Sequence, residues 1–453
     1  MILLTHGYFL IEDLKEQQIM KPYVPLGILY ISAYLDENGI ENEVHDSTFS
    51  SFQKMKERLR ASPPSIIAIY TNLMTKLNVL KIVRFVKDEL RDTKVVLGGP
   101  EIKHYCKEYL KCGADMVVIG EGEQTLLEIC AYYKMHNKLP VDINGTAFIH
   151  EGSLKLNEER ALIKDINSLP FPARNKIDMS NYLKVWKQYH GKSMMSVSTM
   201  RGCPYTCKWC SRAVYGGTYR RRSPKKVVEE LLILKRDHNP DAIWFVDDVF
   251  TISHKWLTEF VDEVKKQDAI IPYEIITRAD RLNLEVIQQL KASGCFRVWI
   301  GAESGSQRII DLMDRRVEVE KVRDMIILAK ENGIESGTFI MLGYPGETKD
   351  DIKQTIKHLQ ASAPDQYTIT IAYPIKGTSL YDEVENNITT KIDFENTTDR
   401  DIDFKRTHST KYYRYAIKWV YNEVNKKKEK SLIRKVKMNI KSQAIQLLMA
   451  ISK

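Results

Sequence analysis

Three cysteines fall within eight positions, Cys203-x3-Cys207-x2-Cys210 in RGCPYTCKWC, although the 453-residue chain holds only seven. Thiolate sulfur is a preferred ligand of zinc and of iron-sulfur clusters, so the grouping points to metal ligation. A structural zinc site takes four protein ligands, usually as two separated pairs. Neither a second pair nor a CxxH partner follows nearby. Cys295 precedes an expected strand, at the opposite end of its unit, and Cys106, Cys112 and Cys130 belong to another part of the chain. Three thiolates on a cubane cluster leave one iron without a protein ligand, and an open metal position is where substrate or cofactor chemistry takes place. Zinc or chance clustering stands as the alternative.

Two blocks of different rhythm must position these residues. In the first, apolar runs (ILLTHG, ENEVHDS, SIIAIYT, KVVLGGP, DMVVIGE) alternate with amphipathic stretches such as GILYISAYLDENG and helices expected from about Lys76, Lys103 and Glu123. This alternation predicts a five-stranded, doubly wound, flavodoxin- or Rossmann-like α/β domain over 1–138. Such sheets bind ligands at the carboxyl ends of their strands. The turns there carry Leu26 and Gly27, then Thr71 and Asn72, then Gly98, Gly99 and Pro100, then Gly120, Glu121 and Gly122. One glycine turn is ordinary turn chemistry; three on one rim point to a cofactor that the backbone approaches closely. Residues 139–192 lose the rhythm, with NGTAFIHEGSLKLN read as a hairpin and LPFPAR as a proline-containing linker. The alternation restarts at SMMSVSTM and continues through AIWFVDD, YEIITR, RVWIGAES, ESGTFIMLG and QYTITIAYP. Six such units predict an incomplete, open (β/α)6 barrel of TIM type over 193–385, active at the C-terminal ends of its strands. The cysteine cluster directly follows the first of these strands. Residues 386–453 read as a helical basic region.

CxxxCxxC at the end of a first barrel strand resembles the radical S-adenosylmethionine (SAM) superfamily, where the motif binds a four-iron four-sulfur cluster and SAM chelates the open iron. The resemblance implies that Cys203, Cys207 and Cys210 hold a [4Fe-4S] cluster and that Trp209 lies among the SAM contacts. In FVDDVF it places Asp247 and Asp248 at the methionyl amino group. In TRAD it places Thr277 and Arg278 at the carboxylate, and in GAESGS Glu303 at the ribose and methionine. Alone, each could be a rim residue or a helix cap. GYPGET (343–348) and YPIKGTSLY (373–381) resemble late-barrel signatures of the same group, although helix-capping turns, with Glu347 in a first helical turn, would also explain them.

Joined, the two blocks and the linker resemble the cobalamin (B12)-binding-domain-containing radical SAM family over residues 1–385; PLGILYISAYL, LGGPE and IGEGEQTL match its usual phrases. That resemblance implies cobalamin, with Leu26, Gly27, Thr71, Asn72, Gly98, Gly99, Pro100, Gly120, Glu121 and Gly122 as its contacts. The DxHxxG motif that supplies a histidine to cobalt in other cobalamin proteins is missing, and His45 and His104 read as structural. The implied activity is C-methylation: a 5′-deoxyadenosyl radical abstracts hydrogen from an unactivated carbon, methylcobalamin delivers the methyl group, and a second SAM remethylates the cobalt. Radical rearrangement or oxidative cyclisation without methyl transfer is a second expectation. A non-catalytic cobalamin or iron-sulfur module for electron transfer or sensing is a third, which the cysteine triad, the acidic pair and Glu303 argue against. Expected partners are a small-molecule, lipid or natural-product substrate and a low-potential electron donor such as flavodoxin or ferredoxin. No pattern names the substrate.

Hydrophobic residues at 43% and charged residues at 28% fit a folded protein rather than a disordered or fibrous one, and the length predicts two or three domains. MILLTHGYFLIED lacks a basic segment followed by a long apolar stretch, and no window approaches the roughly 18 apolar residues of a membrane span. Cysteines without disulfide-like spacing fit a reducing compartment, so a cytoplasmic protein is expected. Fourteen Lys or Arg and two Glu fall in 405–453, a local +12 against +9 for the whole chain. Basicity thus belongs to the tail, and its segment 426–453, without interleaved aromatic residues, does not predict RNA binding. In the tail Leu432, Ile433, Val436, Ile440, Ile445, Leu448 and Ile451 recur at helical spacing. They predict a helix packed on the barrel with a solvated basic face, or, as the weaker alternative, a peripheral contact with an anionic membrane.

Overall fold

The computed structural model describes residues 1–452. Its first sheet contains β1 (Ile2–His6), β2 (Asn42–His45), β3 (Ile66–Tyr70), β4 (Lys94–Gly98), β5 (Met116–Val118), β6 (Thr146–His150) and β7 (Ser153–Leu156), in the order β2-β1-β3-β4-β5-β6-β7. Helices α1 (Leu14–Ile19), α2 (Leu26–Glu37), α3 (Phe52–Ala61), α4 (Lys76–Glu89), α5 (Ile102–Lys111) and α6 (Glu123–His136) punctuate these strands, and α7 (Met179–His190) follows them. β1 to β5 are parallel. Their residues alternate between two buried faces. Leu3, Ile67, Ile69, Val95, Leu97 and Val117 share one core with α3, α4 and α5. Leu4, Ile66, Ala68, Val96, Met116 and Val118 share the other with α2 and α6. Burial on both faces explains why these strands read as continuous apolar runs. The order reverses between β1 and β3, which makes the crevice beyond their carboxyl ends the topological switch point.

The expected boundary at residue 138 needs correction. The hairpin assigned to the linker forms β6 and β7, and β6 pairs antiparallel with β5 through Val117↔Ala147 and Val118↔Thr146. Pairing satisfies the backbone groups that β5 would otherwise leave open at a sheet edge. The first compact unit accordingly takes in Met1–Pro204, Ser211–Trp244 and Ile392–Thr398, and the second takes in Tyr205–Cys210, Phe245–Lys391 and Asp399–Lys453.

A second sheet runs β8-β11-β12-β13-β14-β15, with β8 (Met194–Val197), β11 (Ala242–Phe245), β12 (Tyr273–Thr277), β13 (Cys295–Glu303), β14 (Glu335–Leu342) and β15 (Gln366–Ile371). β9 (Met200–Arg201) and β10 (Arg220–Arg221) form a separate antiparallel ribbon. The six strands follow the expected segments, and β12 to β15 are parallel. β8 and β15 stand at opposite ends of the order, so the sheet is open, as an incomplete barrel requires. Helices α8 (Pro224–Asp237), α9 (His254–Lys266), α10 (Leu284–Ala292), α11 (Gln307–Leu312), α12 (Val319–Glu331) and α13 (Lys349–Ser362) fill the connections, and α14 (Ser379–Val384), α15 (Thr410–Lys428) and α16 (Leu432–Ile451) come after β15. Among the described residues no helix is long and apolar enough to cross a membrane.

Gly99 shows how tightly the first rim is built. Its φ is +133°, and a Cβ there would stand 2.0 Å from the carbonyl oxygen of Thr71. Gly120, at φ +88°, has open space where its Cβ would be. Gly99→Ala should therefore cost about 2–4 kcal/mol, from backbone strain plus a backbone clash, and Gly120→Ala about 1 kcal/mol from strain alone. Urea unfolding of the two variants measures the difference; equal costs would contradict it.

Candidate active site

Around the cysteine motif, the segment Tyr205–Cys210 is held by its backbone. Lys208 N–H donates to the Met313 carbonyl at 3.2 Å, Leu380 N–H donates to the Lys208 carbonyl at 2.8 Å, and Cys210 N–H donates to the Cys207 carbonyl at 3.1 Å. Thr206 adds a hydroxyl bond to Asp314 at 2.8 Å. Cys207 is buried, Cys203 half-buried and Cys210 exposed.

Two guanidinium groups meet the Cys207 sulfur. Nη1 of Arg278 lies 3.8 Å from Sγ and Nη1 of Arg315 lies 3.6 Å from it. Arg278 directly follows β12 and is fully buried, with Nε donating to Asp280 at 2.8 Å, Nη2 donating to the Arg315 carbonyl at 2.8 Å, and the group stacked 3.9 Å over Tyr205. Arg315 Nη2 donates to the Gly301 carbonyl at 3.2 Å, its Nε has no hydrogen-bond partner, and Trp209 lies 6.0 Å away. Burial opposes the charge of Arg315, but Glu303 and the Cys207 sulfur outweigh it and hold the guanidinium protonated. Two buried cations thus face this one sulfur.

Glu303 closes β13 in the left-handed region, φ +62°, next to a register shift between Gly301 and Glu303. Bulges and positive φ at a strand end aim a side chain at a cost in strain, a cost concentrated at functional sites. The Glu303 carboxylate stands 4.0 Å from Arg315, and a Cβ on Gly301 would stand within 2.8 Å of both partners. Burial pushes the Glu303 carboxyl up, with Arg315 and Arg278 opposing. At the end of β11, Asp247 is buried, and the neighbouring Asp248 reaches the surface. The Asp248 carboxyl is pushed up by the protein around it and by Asp247. Two adjacent carboxylates that repel each other suit a cationic group. Thr277 is paired with Thr251 through their hydroxyls at 2.5 Å.

The rim of the first unit differs from expectation in one respect. Glu121 does not present a free carboxylate: Oε1 accepts from Arg201 at 2.7 Å, and Oε2 accepts from Arg220 at 2.8 Å and from Ile163 N–H at 2.7 Å. Arg201 also reaches Glu123 at 2.5 Å, and it stands opposite Arg220 in the β9–β10 ribbon. Nε and Nη2 of Arg220 are buried without hydrogen-bond partners. Thr71 shares a 3.1 Å bond with Tyr109, and Asn72 accepts the Met74 and Thr75 amides at the start of α4. Gly99 is occupied by its approach to Thr71, whereas Gly27 and Gly120 border open space. Leu26 opens α2 behind Pro25, which provides no side-chain cap. Gly98, Pro100 and Gly122 are half-buried in their turns.

Sequence reasoning passed over Arg315, Arg201, Arg220 and His6. The runs GEGE and YRRRSP were the available signal for Arg201 and Arg220, because clustered acids and bases that end up buried must neutralise each other. His6 Nδ1 accepts the Tyr8 amide at 3.1 Å and its Nε2 lies 3.0 Å from Asp46, so both ring nitrogens are engaged. Glu347 is not in a helical turn as expected. It is fully buried ahead of α13, where it accepts the Gly343 amide at 2.5 Å through Oε2 and leaves Oε1 unpartnered.

An open parallel barrel sheet with a cysteine loop and acidic strand ends, joined to a doubly wound domain, defines the radical SAM class with a B12-binding domain. Residues 197–359 match the Radical SAM superfamily and residues 19–130 match the B12 binding domain, so the chain carries both domains. It is 28% identical over 395 residues to an uncharacterized methyltransferase of Pyrococcus horikoshii, covering 85% of this chain and 84% of that one. It is 25% identical to the anaerobic magnesium-protoporphyrin IX monomethyl ester cyclase of Rubrivivax gelatinosus, covering 83% and 69%. In fold it is similar to TsrM of Kitasatospora setae, a radical SAM methyltransferase solved with tryptophan and a SAM analogue, with a TM-score of 0.71, 17% identity, and coverage of 86% and 79%.

Among the described residues no three His, Cys, Asp or Glu side chains converge in metal-holding geometry. The fit to an anionic cluster therefore rests on the cationic surroundings of Cys207. For Glu347, burial pushes the carboxyl up to about 8, opposed by the Gly343 bond. The folded chain keeps a proton there that the unfolded chain releases above its ordinary value of 4.5, so this group makes stability fall as pH rises from about 4.5 to 8. Glu347→Gln keeps the acceptor for Gly343 and removes the titration. Its thermal-melting advantage over the parent should grow from pH 5 to pH 8, and a difference independent of pH would contradict the assignment.

Proposed function

We propose that this enzyme is a cobalamin-dependent radical SAM C-methyltransferase acting at an unactivated carbon. The observation that carries the reading is the Cys207 sulfur between Arg278 and Arg315, with Glu303 aimed into the same strand-end cluster. When bound, the [4Fe-4S] cluster with SAM supplies a 5′-deoxyadenosyl radical, and cobalamin supplies the methyl group. Cys203, Cys207 and Cys210 would hold the cluster as thiolates. Arg278 and Arg315 offset that negative charge, so Arg278 acts on the cluster loop rather than on the SAM carboxylate. Asp247 and Asp248 accept the methionyl ammonium, Glu303 accepts the ribose hydroxyls, and Trp209 and Thr277 border them. In the first unit, Leu26, Gly27 and Gly120 leave room for cobalamin, with Thr71, Asn72, Gly98, Gly99, Pro100 and Gly122 shaping the rim. Glu121 anchors Arg201 and Arg220 instead of touching the cofactor.

The Pyrococcus relative, a methyltransferase by name and matched over most of its length, supports methyl transfer. The cyclase relative favours the second reading, oxidative ring formation. The substrate is a small molecule, a lipid or a natural product. A low-potential flavodoxin or ferredoxin supplies the electron, and the basic tail supplies a peripheral membrane contact. Methylation of a C–H bond by this route consumes two SAM and two electrons from the donor, and yields methionine, 5′-deoxyadenosine and S-adenosylhomocysteine beside the methylated product.

Incubation of reconstituted enzyme with substrate candidates should release 5′-deoxyadenosine and S-adenosylhomocysteine in equal amounts. Deoxyadenosine alone would overturn methyl transfer in favour of cyclisation. Glu303→Gln should raise the KM for SAM at least about tenfold, the equivalent of about 1.4 kcal/mol, with cluster content unchanged, whereas Cys207→Ala should abolish both cluster and product.

A further inference from the structure

α16 turns its apolar surface outward, away from the other described residues. Leu432, Ile433, Val436, Ile440, Leu447 and Ile451 are all exposed, Ile440 at 62% and Leu447 at 63%. At about 100° per residue they occupy one sector of the helix. Ser442, Ile445 and Met449, in the opposite sector, are its buried residues. Asn422 of α15 fixes that side, with its Nδ2 donating to the Met438 carbonyl and to the Ser442 hydroxyl, both at 2.8 Å. The Ser442 hydroxyl in turn donates to Glu423. α16 is thus held by a mixed polar side and shows its aliphatic side outward, the reverse of an ordinary surface helix. A continuous exposed apolar strip of this kind marks an interaction surface.

Charge selects the occupant. α16 contains Arg434, Lys435, Lys437 and Lys441 and no acidic residue, and Lys426, Lys427, Lys428 and Lys430 precede it. The nearby acids are already engaged, Glu429 with Arg434 at 3.7 Å and Glu423 with Lys426 at 2.6 Å. Two such stripes facing each other would bring like charges together, which opposes pairing with a second copy. We propose that α16 docks the enzyme on an anionic lipid surface, lying in the interface plane with its aliphatic stripe among the acyl chains and its cations at phosphate level. This docking does not depend on the radical chemistry and would survive the failure of that reading.

Flotation of the full chain with vesicles of phosphatidylcholine, with and without phosphatidylglycerol, tests it. Binding to the phosphatidylglycerol vesicles should be at least about tenfold tighter than to phosphatidylcholine alone and should weaken at high salt. The double variant Ile440→Ser/Leu447→Ser, which alters only exposed side chains, should lose that binding at least tenfold with an unchanged thermal melt. Equal binding to both vesicles, a variant that binds like the parent, or lipid-free self-association abolished by the same variant would each overturn the proposal.

Discussion

Two buried arginines meeting one sulfur is the interaction on which the second unit depends. Buried guanidinium groups persist only where anions and carbonyls answer them. Arg278 finds Asp280 and the backbone beyond α11, and Arg315 finds Gly301 and Glu303; both then point at Cys207. Residual positive charge at that sulfur is what an anionic, thiolate-held cluster needs. The strained Glu303, the bulge in β13 and the missing Cβ at Gly301 are consequences of fitting this pair into a strand end.

The fold was legible because parallel strands of the first sheet are apolar runs buried on both sides and the barrel units repeat regularly. What escaped was pairing. The hairpin over residues 146–156 looked like a linker because antiparallel addition to β5 leaves no signature in its own residues. Arg315 follows the half-buried Asp314 and precedes the exposed Arg316, so nothing local distinguishes the arginine of the pair that is buried. Glu121 looked like a cofactor contact because of its place after β5, and only the folded ribbon shows it bound by Arg201 and Arg220. In the tail the helical period was visible, but not which side of the helix would face α15.

The first unit follows the same logic on a smaller scale. Its rim carboxylates and histidine are spent on holding loops, through Glu121 with two arginines and His6 with Asp46, so the open positions are glycines rather than charged groups. A rim of this kind accommodates a large ligand through shape and backbone, and it offers no imidazole nitrogen of His6 for a metal.

The most direct measurement is electron paramagnetic resonance of the anaerobically reconstituted, dithionite-reduced protein before and after addition of SAM. A cluster with one iron left open by Cys203, Cys207 and Cys210 should give a reduced four-iron signal whose g-values shift when SAM is added. A protein that forms no such cluster, or whose signal is indifferent to SAM, would contradict the radical SAM site built around Cys207.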